Sequence, residues 1–152
     1  MRPPEPSIEV RGVRQAAVDL TQLGERGSDI RKVSEKVRSV YRRSNEERFG
    51  SGGRGRWAEL APSTKRRKAR DALDPRTLRA TGALYRSLTA PRAANQVDRR
   101  DPTEFRFGTT VPYAGYHNFG KGRMHRDLIE LTSGERDQIS KLISDYIARD
   151  RA

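Results

Sequence analysis

Apolar residues recur every three or four positions in a segment near the start of the chain. Over residues 28–49 the recurring side chains are Ile30, Val33, Val37, Val40 and Tyr41, which fall on one face of a helix. Ser28 is suited to capping the free N–H groups of a first turn, and glycines follow Phe49. The pattern therefore predicts a helix from Ser28 to about Phe49.

A second segment near the end of the chain has the same periodicity. Thr132 and Glu135 have the spacing of a capping box, in which each side chain accepts a backbone N–H of the other residue. The apolar positions that follow are Ile139, Leu142, Ile143, Tyr146 and Ile147. We expect this helix to present the main packed stripe, facing the first helix and a small sheet.

Weaker patterns predict the remaining elements. Residues 7–11 alternate like a short strand after a proline-rich start, and residues 13–23 fit a short helix that ends at Gly24 or Gly27. Pro62 and Thr81 each suit the entry to a further short helix. Residues 104–107 read as a strand paired antiparallel with residues 96–98. The predicted fold is α+β, with an arm, short strand and short helix over residues 1–27 and one domain over residues 28–152.

Composition limits how large a core this domain can build. Val, Ile, Leu and Phe make up 28 of 152 residues, and the net charge is +12. That combination is typical of chains that are partly disordered or completed by their neighbours. No apolar run approaches the length of a membrane span, and the first residues do not resemble a secretory signal, so we expect synthesis in the cytoplasm and no membrane partner. Without cysteine there is no disulfide or thiolate zinc site.

Positive charge is concentrated in one stretch. Residues 54–70 hold seven basic side chains and one acidic one, whereas residues 132–150 hold three basic and four acidic ones. Such a stretch faces DNA phosphates or an acidic partner, or it is simply a solvated surface. The residues we expect to face DNA or a partner are Arg54, Arg56, Lys65, Arg66, Arg67, Lys68 and Arg70.

Motifs for catalysis are incomplete. The run from Gly115 to Gly122 nearly spells a phosphate-binding loop, but Pro112 interrupts the strand that must precede it and Gly122 replaces the required hydroxyl residue. His117 followed by Asn118 faintly resembles a metal-dependent nuclease, yet no further ligands have a recognisable spacing. We expect no catalytic, cofactor-binding or metal site, and a loop histidine at position 117.

An ordered series of motifs resembles a known family. Arg48-Phe49 is followed by a glycine-rich loop, then by residues 57–64 (WAELAPST), residues 78–88 (LRATGALYRSL) and residues 107–120 (FGTTVPYAGYHNFG). In this order they resemble the virion-morphogenesis and tail-completion proteins of Mu-like and P2-like tailed bacteriophages. The positions that carry the resemblance are Phe49, Trp57, Leu60, Pro62, Gly82, Leu84, Ser87, Leu88, Gly108, Pro112, Tyr113, His117, Phe119 and Gly120.

The resemblance implies a non-enzymatic virion protein that completes or terminates the tail or joins it to the head. It further implies a homo-oligomeric ring, often sixfold, in contact with other neck, connector or tail-tube proteins and with DNA in the channel. The alternative is a small basic protein that binds DNA without sequence specificity. Within the motifs, we expect Trp57 and Leu60 to anchor their loop on the core.

The aromatic segment near the last motif has two predicted roles. We expect Tyr113 and Phe119 to cover the core, and Tyr116 and His117 to contact a neighbouring subunit.

Overall fold

The computed structural model of the chain describes residues 13–120 and 125–149. Over these residues it forms six α-helices and a two-stranded sheet, which confirms the α+β class. The elements are α1 (Val13–Ser28), α2 (Ser34–Gly50), α3 (Pro62–Arg70), α4 (Ala83–Thr89), β1 (Gln96–Arg100), β2 (Phe105–Thr109), α5 (Ala114–Phe119) and α6 (Ser133–Ala148). The strand expected over residues 7–11 lies outside the described residues.

The junction between α1 and α2 corrects the predicted start of the long helix. Ser28 ends α1 instead of capping α2, and its hydroxyl donates to the Glu25 carbonyl at 2.6 Å. The Asp29 carboxylate accepts the Arg31 N–H two residues on at 3.0 Å, a local turn that separates the two helices. A single 3₁₀ turn over Arg31–Val33 then leads into α2. The helix predicted to begin at Ser28 therefore starts five or six residues later.

The end predicted for α1 is also too early. The helix continues through Gly24 and Gly27 to Ser28, so the boundary proposed between residues 27 and 28 falls in its last turn. This helix packs against α6. Tertiary contact of this kind offsets the cost of about 1 kcal/mol that each glycine imposes on a helix interior.

The small sheet has the predicted pairing. β1 and β2 are antiparallel, with Asp98 opposite Phe107 and Gln96 opposite Thr109. Ion pairs attach the sheet to α2: Arg38 lies 3.2 Å from Asp98, and Arg100 lies 2.7 Å from Glu35. The sheet also packs against α4.

The core is compact and mostly contributed by α2 and α4. Its buried members are Tyr41, Phe49, Leu84, Leu88, Val111, Ala114 and Leu128, with Trp57, Leu78, Tyr85, Phe107 and Leu131 packed around them. Phe49 meets the ring of Trp57 edge to face at 5.3 Å and that of Tyr85 at 5.4 Å. Such edge-to-face pairs add about 0.5–1.5 kcal/mol to the burial of their rings.

Helix α6 begins as predicted but packs differently. Thr132 and Glu135 form the reciprocal capping box. The apolar stripe lies against α2 and α1, not against the sheet, and no residue of α6 is fully buried. The expectation that the stripe faces the long helix is confirmed by its contact with α2, whereas the expectation of a fully buried stripe that also faces the sheet is wrong. None of the helices in the described residues is long and apolar enough to cross a membrane.

Candidate functional site

The positions that carried the family resemblance divide into a structural group and a surface group. Phe49, Leu84, Ser87 and Leu88 are buried. The Ser87 hydroxyl bonds to the Leu84 carbonyl at 2.8 Å and to the Thr109 hydroxyl at 2.7 Å, so it joins α4 to the end of β2. These positions are structural: their side chains pack in the core, and the Ser87 hydroxyl is already hydrogen-bonded.

Of the motif glycines, Gly82 has a clear conformational reason, whereas Gly108 has room for a side chain. Gly82 precedes α4 with φ +75°, in the left-handed region that L side chains rarely adopt. Gly108 lies opposite Val97 in the sheet, and a Cβ built there would be 3.9 Å from the Val97 Cβ, an ordinary contact. Pro112 is exposed just after β2, where a residue without an N–H cannot continue the ladder. Gly120 follows the last residue of α5 in extended backbone.

Trp57 anchors its loop as predicted. The chain after α2 turns through Gly52 and Gly53, both with positive φ, and brings the Trp57 indole against Phe49. A Cβ on Gly53 would lie 2.1 Å from the indole Cδ1, so only glycine fits beneath this ring. Leu60 is half-buried three residues later and lines a cavity.

This α3–α5 cavity has a volume of about 500 Å³ and lies between the start of α3, the loop before α4, and α5. Its apolar wall comes from Leu60, Ala61, Leu78, Ala80 and Tyr113. Its polar lining comes from Glu59, Thr64, Arg67, Lys68, Thr77, His117 and Arg126. Pro62, as the first residue of α3, fixes the direction in which that helix leaves the cavity wall.

Two of the lining cations are buried. Lys68 is 5% exposed, and its ammonium donates to the Asp74 carbonyl at 3.0 Å and the Arg76 carbonyl at 2.6 Å. Burial lowers the pKa of Lys68. These two bonds tie the end of α3 to the loop that follows, so Lys68 is a structural residue and not part of an exposed basic surface.

Arg126 is the second buried cation, and its polar contacts are longer than those of Lys68. It is 7% exposed, and its Nη2 donates to the Ala58 carbonyl at 3.3 Å while Nη1 lies 3.4 Å from His117 Nδ1. Its Nε has no hydrogen-bond partner, and no carboxylate of the described residues forms an ion pair with it. Burial lowers the pKa of Arg126.

The other basic residues of the stretch 54–70 have different partners. Arg54 lies 2.5 Å from Glu135 and joins the loop after α2 to α6, which makes it structural as well. Arg56 pairs with Asp127 and Glu130, Lys65 with Glu59, and Arg70 with Asp71. Arg66 and Arg67 are exposed, and no ion pair involves either within the described residues. The seven cations therefore do not form one continuous DNA-facing surface.

The aromatic segment at α5 is the main exposed apolar surface. Tyr116 is 75% exposed and Phe119 80% exposed, while Tyr113 and Ile129 are exposed to a smaller degree. The prediction that Tyr113 and Phe119 cover the core is wrong. The core contact of α5 is made by Ala114, which leaves the larger side chains pointing away.

His117 is half-buried beside this surface. Its ring lies 6.4 Å from that of Tyr113, and its carbonyl accepts the Arg126 N–H at 2.7 Å. Among the described residues, no three His, Cys, Asp or Glu side chains lie close enough together to hold a metal ion. The geometry gives His117 a place in a cavity wall.

Sequence reasoning missed Arg126, Arg79 and Leu78 as functional or packing residues. The guanidinium of Arg79 lies 3.9 Å from the centre of the Tyr85 ring and packs on the core. Burial without a neighbouring carboxylate distinguishes Arg126 from the many solvated arginines of this chain, and no sequence signal reports that burial.

The sequence profile of the phage virion morphogenesis family matches residues 8–148. The chain therefore belongs to that family. No curated protein and no solved structure is significantly similar to it.

Proposed function

We propose that this protein is a structural component that completes or terminates the phage tail, or joins it to the head, as a homo-oligomeric ring. Family membership supports a role in virion morphogenesis. The observation that carries the finer proposal is the exposed aromatic segment at α5. All large apolar side chains that are exposed in the described part of the chain fall between residues 113 and 129.

Such a concentration of apolar surface favours an interface. Single exposed apolar residues are ordinary on a monomer, whereas a cluster marks a surface that another protein covers. Tyr116 and Phe119 lie three residues apart on one short helix, and both are aromatic types enriched at protein interfaces. In a ring, this surface of one subunit would pack against a different surface of the next.

The half-buried helix α6 supports the same proposal. Its apolar stripe is incompletely covered by α1 and α2, and nine apolar side chains in all are buried among the described residues. A subunit with so small a core gains stability when neighbours bury what it leaves exposed.

The oligomeric state tests the proposal directly. Size-exclusion chromatography with light scattering should show a closed higher oligomer of the wild-type chain. Replacing Tyr116 and Phe119 together by Ser should shift the population to monomer without lowering the helical content. Lys141→Ser, an exposed change on α6, is the control and should leave the oligomer intact. A wild-type chain that stays monomeric alone and with its neck or tail partners would contradict the ring.

The second candidate function is sequence-independent DNA binding, favoured by exposed Arg66 and Arg67 on α3. Each phosphate neutralised on duplex DNA contributes about 0.9 to the slope of log affinity against log salt. Changing both residues to Gln should lower the slope by about 2 if both contact phosphates. An unchanged slope would mean that α3 does not face DNA. If the same variant fails to dock to a tail or head protein, the partner of α3 is a protein.

A further inference from the structure

The α3–α5 cavity contains a cation whose counter-charge is missing from the described chain. The Arg126 side chain is nine-tenths buried, and its Nε has no hydrogen-bond partner within the described residues. Its contacts with those residues are long, at 3.3 Å to the Ala58 carbonyl and 3.4 Å to the His117 ring. A buried charge of this kind is costly unless it is paired. Every other buried arginine in the described residues lies against a carboxylate, an aromatic ring or a carbonyl closer than 3 Å.

The lining of the cavity adds to the positive potential around Arg126. Arg67 lines the same space and is exposed, and Lys68 lies in its wall. The one carboxylate in the lining belongs to Glu59, whose side chain is 90% exposed and pairs with Lys65 at 3.2 Å on the outside. The cavity therefore favours an anion that enters from solvent.

We infer that the α3–α5 cavity binds an acidic segment of a partner protein, which places a carboxylate on Arg126 and an apolar side chain against Leu60 and Leu78. A carboxylate matches the fork of N–H donors on a guanidinium and supplies the counter-charge that Arg126 lacks among the described residues. This inference goes beyond the ring and does not rest on it, because it concerns the chemistry of one cavity.

The apolar wall distinguishes a polypeptide from DNA as the occupant. Five of the lining residues present apolar surface, and a cavity of about 500 Å³ accommodates a few side chains. A phosphate backbone gains its affinity from rows of exposed cations and brings no apolar group to cover such a wall. An acidic peptide with alternating apolar residues complements both the charge and the wall. The neighbouring exposed aromatic segment gives the same partner further apolar surface to cover.

A titration of the isotope-labelled, full-length chain tests the inference. The probe is the blocked peptide Ac-Leu-Glu-Leu-Glu-Leu-NH₂, followed by NMR shifts of backbone amides. Saturable shifts should map to the lining residues, Leu60, Thr64 and His117 among them. Two matched peptides separate the contributions. Replacing both Glu by Gln removes the charge, and replacing the three Leu by Ser removes the apolar groups. Each should bind at least about tenfold more weakly, since each loses about 1.4 kcal/mol or more.

Two sets of variants test where the carboxylates of the peptide bind. Arg126→Gln should weaken the acidic peptide by about 10- to 100-fold, the range expected for a hydrogen-bonded charge pair. Because Arg126 is buried and its loss can affect folding, Thr64→Glu is the second variant, as it puts a competing carboxylate into the lining. Ser63→Glu adds the same charge on the exposed neighbouring position and is its control. We expect Thr64→Glu to abolish the saturable shifts and Ser63→Glu to preserve them.

Three results would overturn the inference. The first is an acidic peptide that causes no saturable shift in the wild-type chain. The second is binding that maps elsewhere, or that Thr64→Glu and Ser63→Glu weaken equally. The third is a short DNA duplex that competes for the cavity and depends on Arg126 as strongly as the peptide does, which would make the occupant a phosphate backbone.

Discussion

At the scale of single residues, several arginines pack inside the fold, which the sequence does not reveal. Arg38, Arg48, Arg79 and Arg126 are all buried, and their aliphatic stems fill space that a richer supply of Leu, Ile or Val would otherwise fill. Arg48 donates to the Leu128 carbonyl at 2.8 Å inside the core, where burial lowers the pKa of its guanidinium. Charge counting treats each of these side chains as solvated surface. The burial of a particular arginine depends on tertiary partners, and these are distant in sequence.

The pair Gly52 and Gly53 provides a residue-level prediction. Both have positive φ, +61° and +71°, but a Cβ on Gly52 meets nothing within 4 Å, whereas one on Gly53 meets the Trp57 ring at 2.1 Å. Gly52→Ala should therefore cost only the left-handed backbone penalty, about 1–2 kcal/mol. Gly53→Ala should cost a further 1–3 kcal/mol, roughly, through overpacking. Urea denaturation measures both, and the emission of Trp57, the sole tryptophan, should shift only in Gly53→Ala. Equal losses in the two variants would mean that the ring does not lie over Gly53.

At the scale of elements, the sequence predicts the helix starts and strand pairings that depend on residues close together in the chain. The Thr132 capping box and the pairing of β1 with β2 follow from spacing and alternation. The start of α2 does not, because the Ile30 N–H donates to the Pro102 carbonyl at 2.8 Å, a contact made across the fold. Helix α5 has six residues and no side-chain cap, so it depends on tertiary contacts: Ala114 packs in the core, and the His117 carbonyl accepts the Arg126 N–H at 2.7 Å. That helix fixes the orientation of the aromatic segment, which explains why the predicted roles of Tyr113 and Phe119 were wrong.

The start of α6 should make stability depend on acid pH. Burial alone would raise the pKa of Glu135, but the Thr132 N–H and the charge of Arg54 outweigh it, so the pKa is lowered in the folded chain. A lowered pKa stabilises the fold above the unfolded value, about 4.3, and that contribution is lost as pH falls through the folded pKa. Glu135→Gln keeps the capping hydrogen bond but removes the charge. We expect it to cost about 1–2 kcal/mol at neutral pH.

The difference between wild type and Glu135→Gln should shrink as the pH falls below the unfolded pKa, about 4.3, and vanish once the pH is below the lowered pKa of the folded chain. Asp145→Asn removes the exposed ion pair with Lys141 on the same helix and is the control. It should change the free energy of unfolding by less than about 0.5 kcal/mol. A pH-independent gap between wild type and Glu135→Gln would contradict the electrostatic explanation.

The apolar stripe of α6 gives a second prediction at this scale. Leu84 is fully buried in α4, whereas Ile143 is only half-buried. Leu84→Ala should cost about 2–5 kcal/mol, as in other cores. Ile143→Ala should cost about 1–2 kcal/mol in the unassembled chain, because water already reaches part of the side chain. Chemical denaturation at low protein concentration distinguishes the two. A loss at Ile143 as large as that at Leu84 would mean that the stripe is fully covered within one subunit.

At the scale of the whole molecule, charge and core size act together. The chain has a net charge of +12, and among the described residues its carboxylates are largely engaged in ion pairs with nearby arginines, as at Glu35, Asp74 and Asp98. The remaining cations repel one another and reduce the stability of an isolated subunit. A small core contributes little stabilising free energy to offset that repulsion. Composition alone predicts this balance, whereas the location of the uncovered apolar surface emerges only from the fold.

Assembly should therefore contribute measurably to stability. If neighbours cover the α5 aromatic segment, mass action makes the melting temperature rise with protein concentration. A tenfold increase is worth at most about 1.4 kcal/mol per subunit, which for a chain of this length corresponds to roughly 3–6 °C. Calorimetry over several decades of concentration measures the rise. Phe119→Ser should flatten the dependence while leaving the low-concentration melting temperature unchanged, because Phe119 is 80% exposed in the single chain. A melting temperature independent of concentration in a monodisperse monomer would show that the fold needs no neighbour.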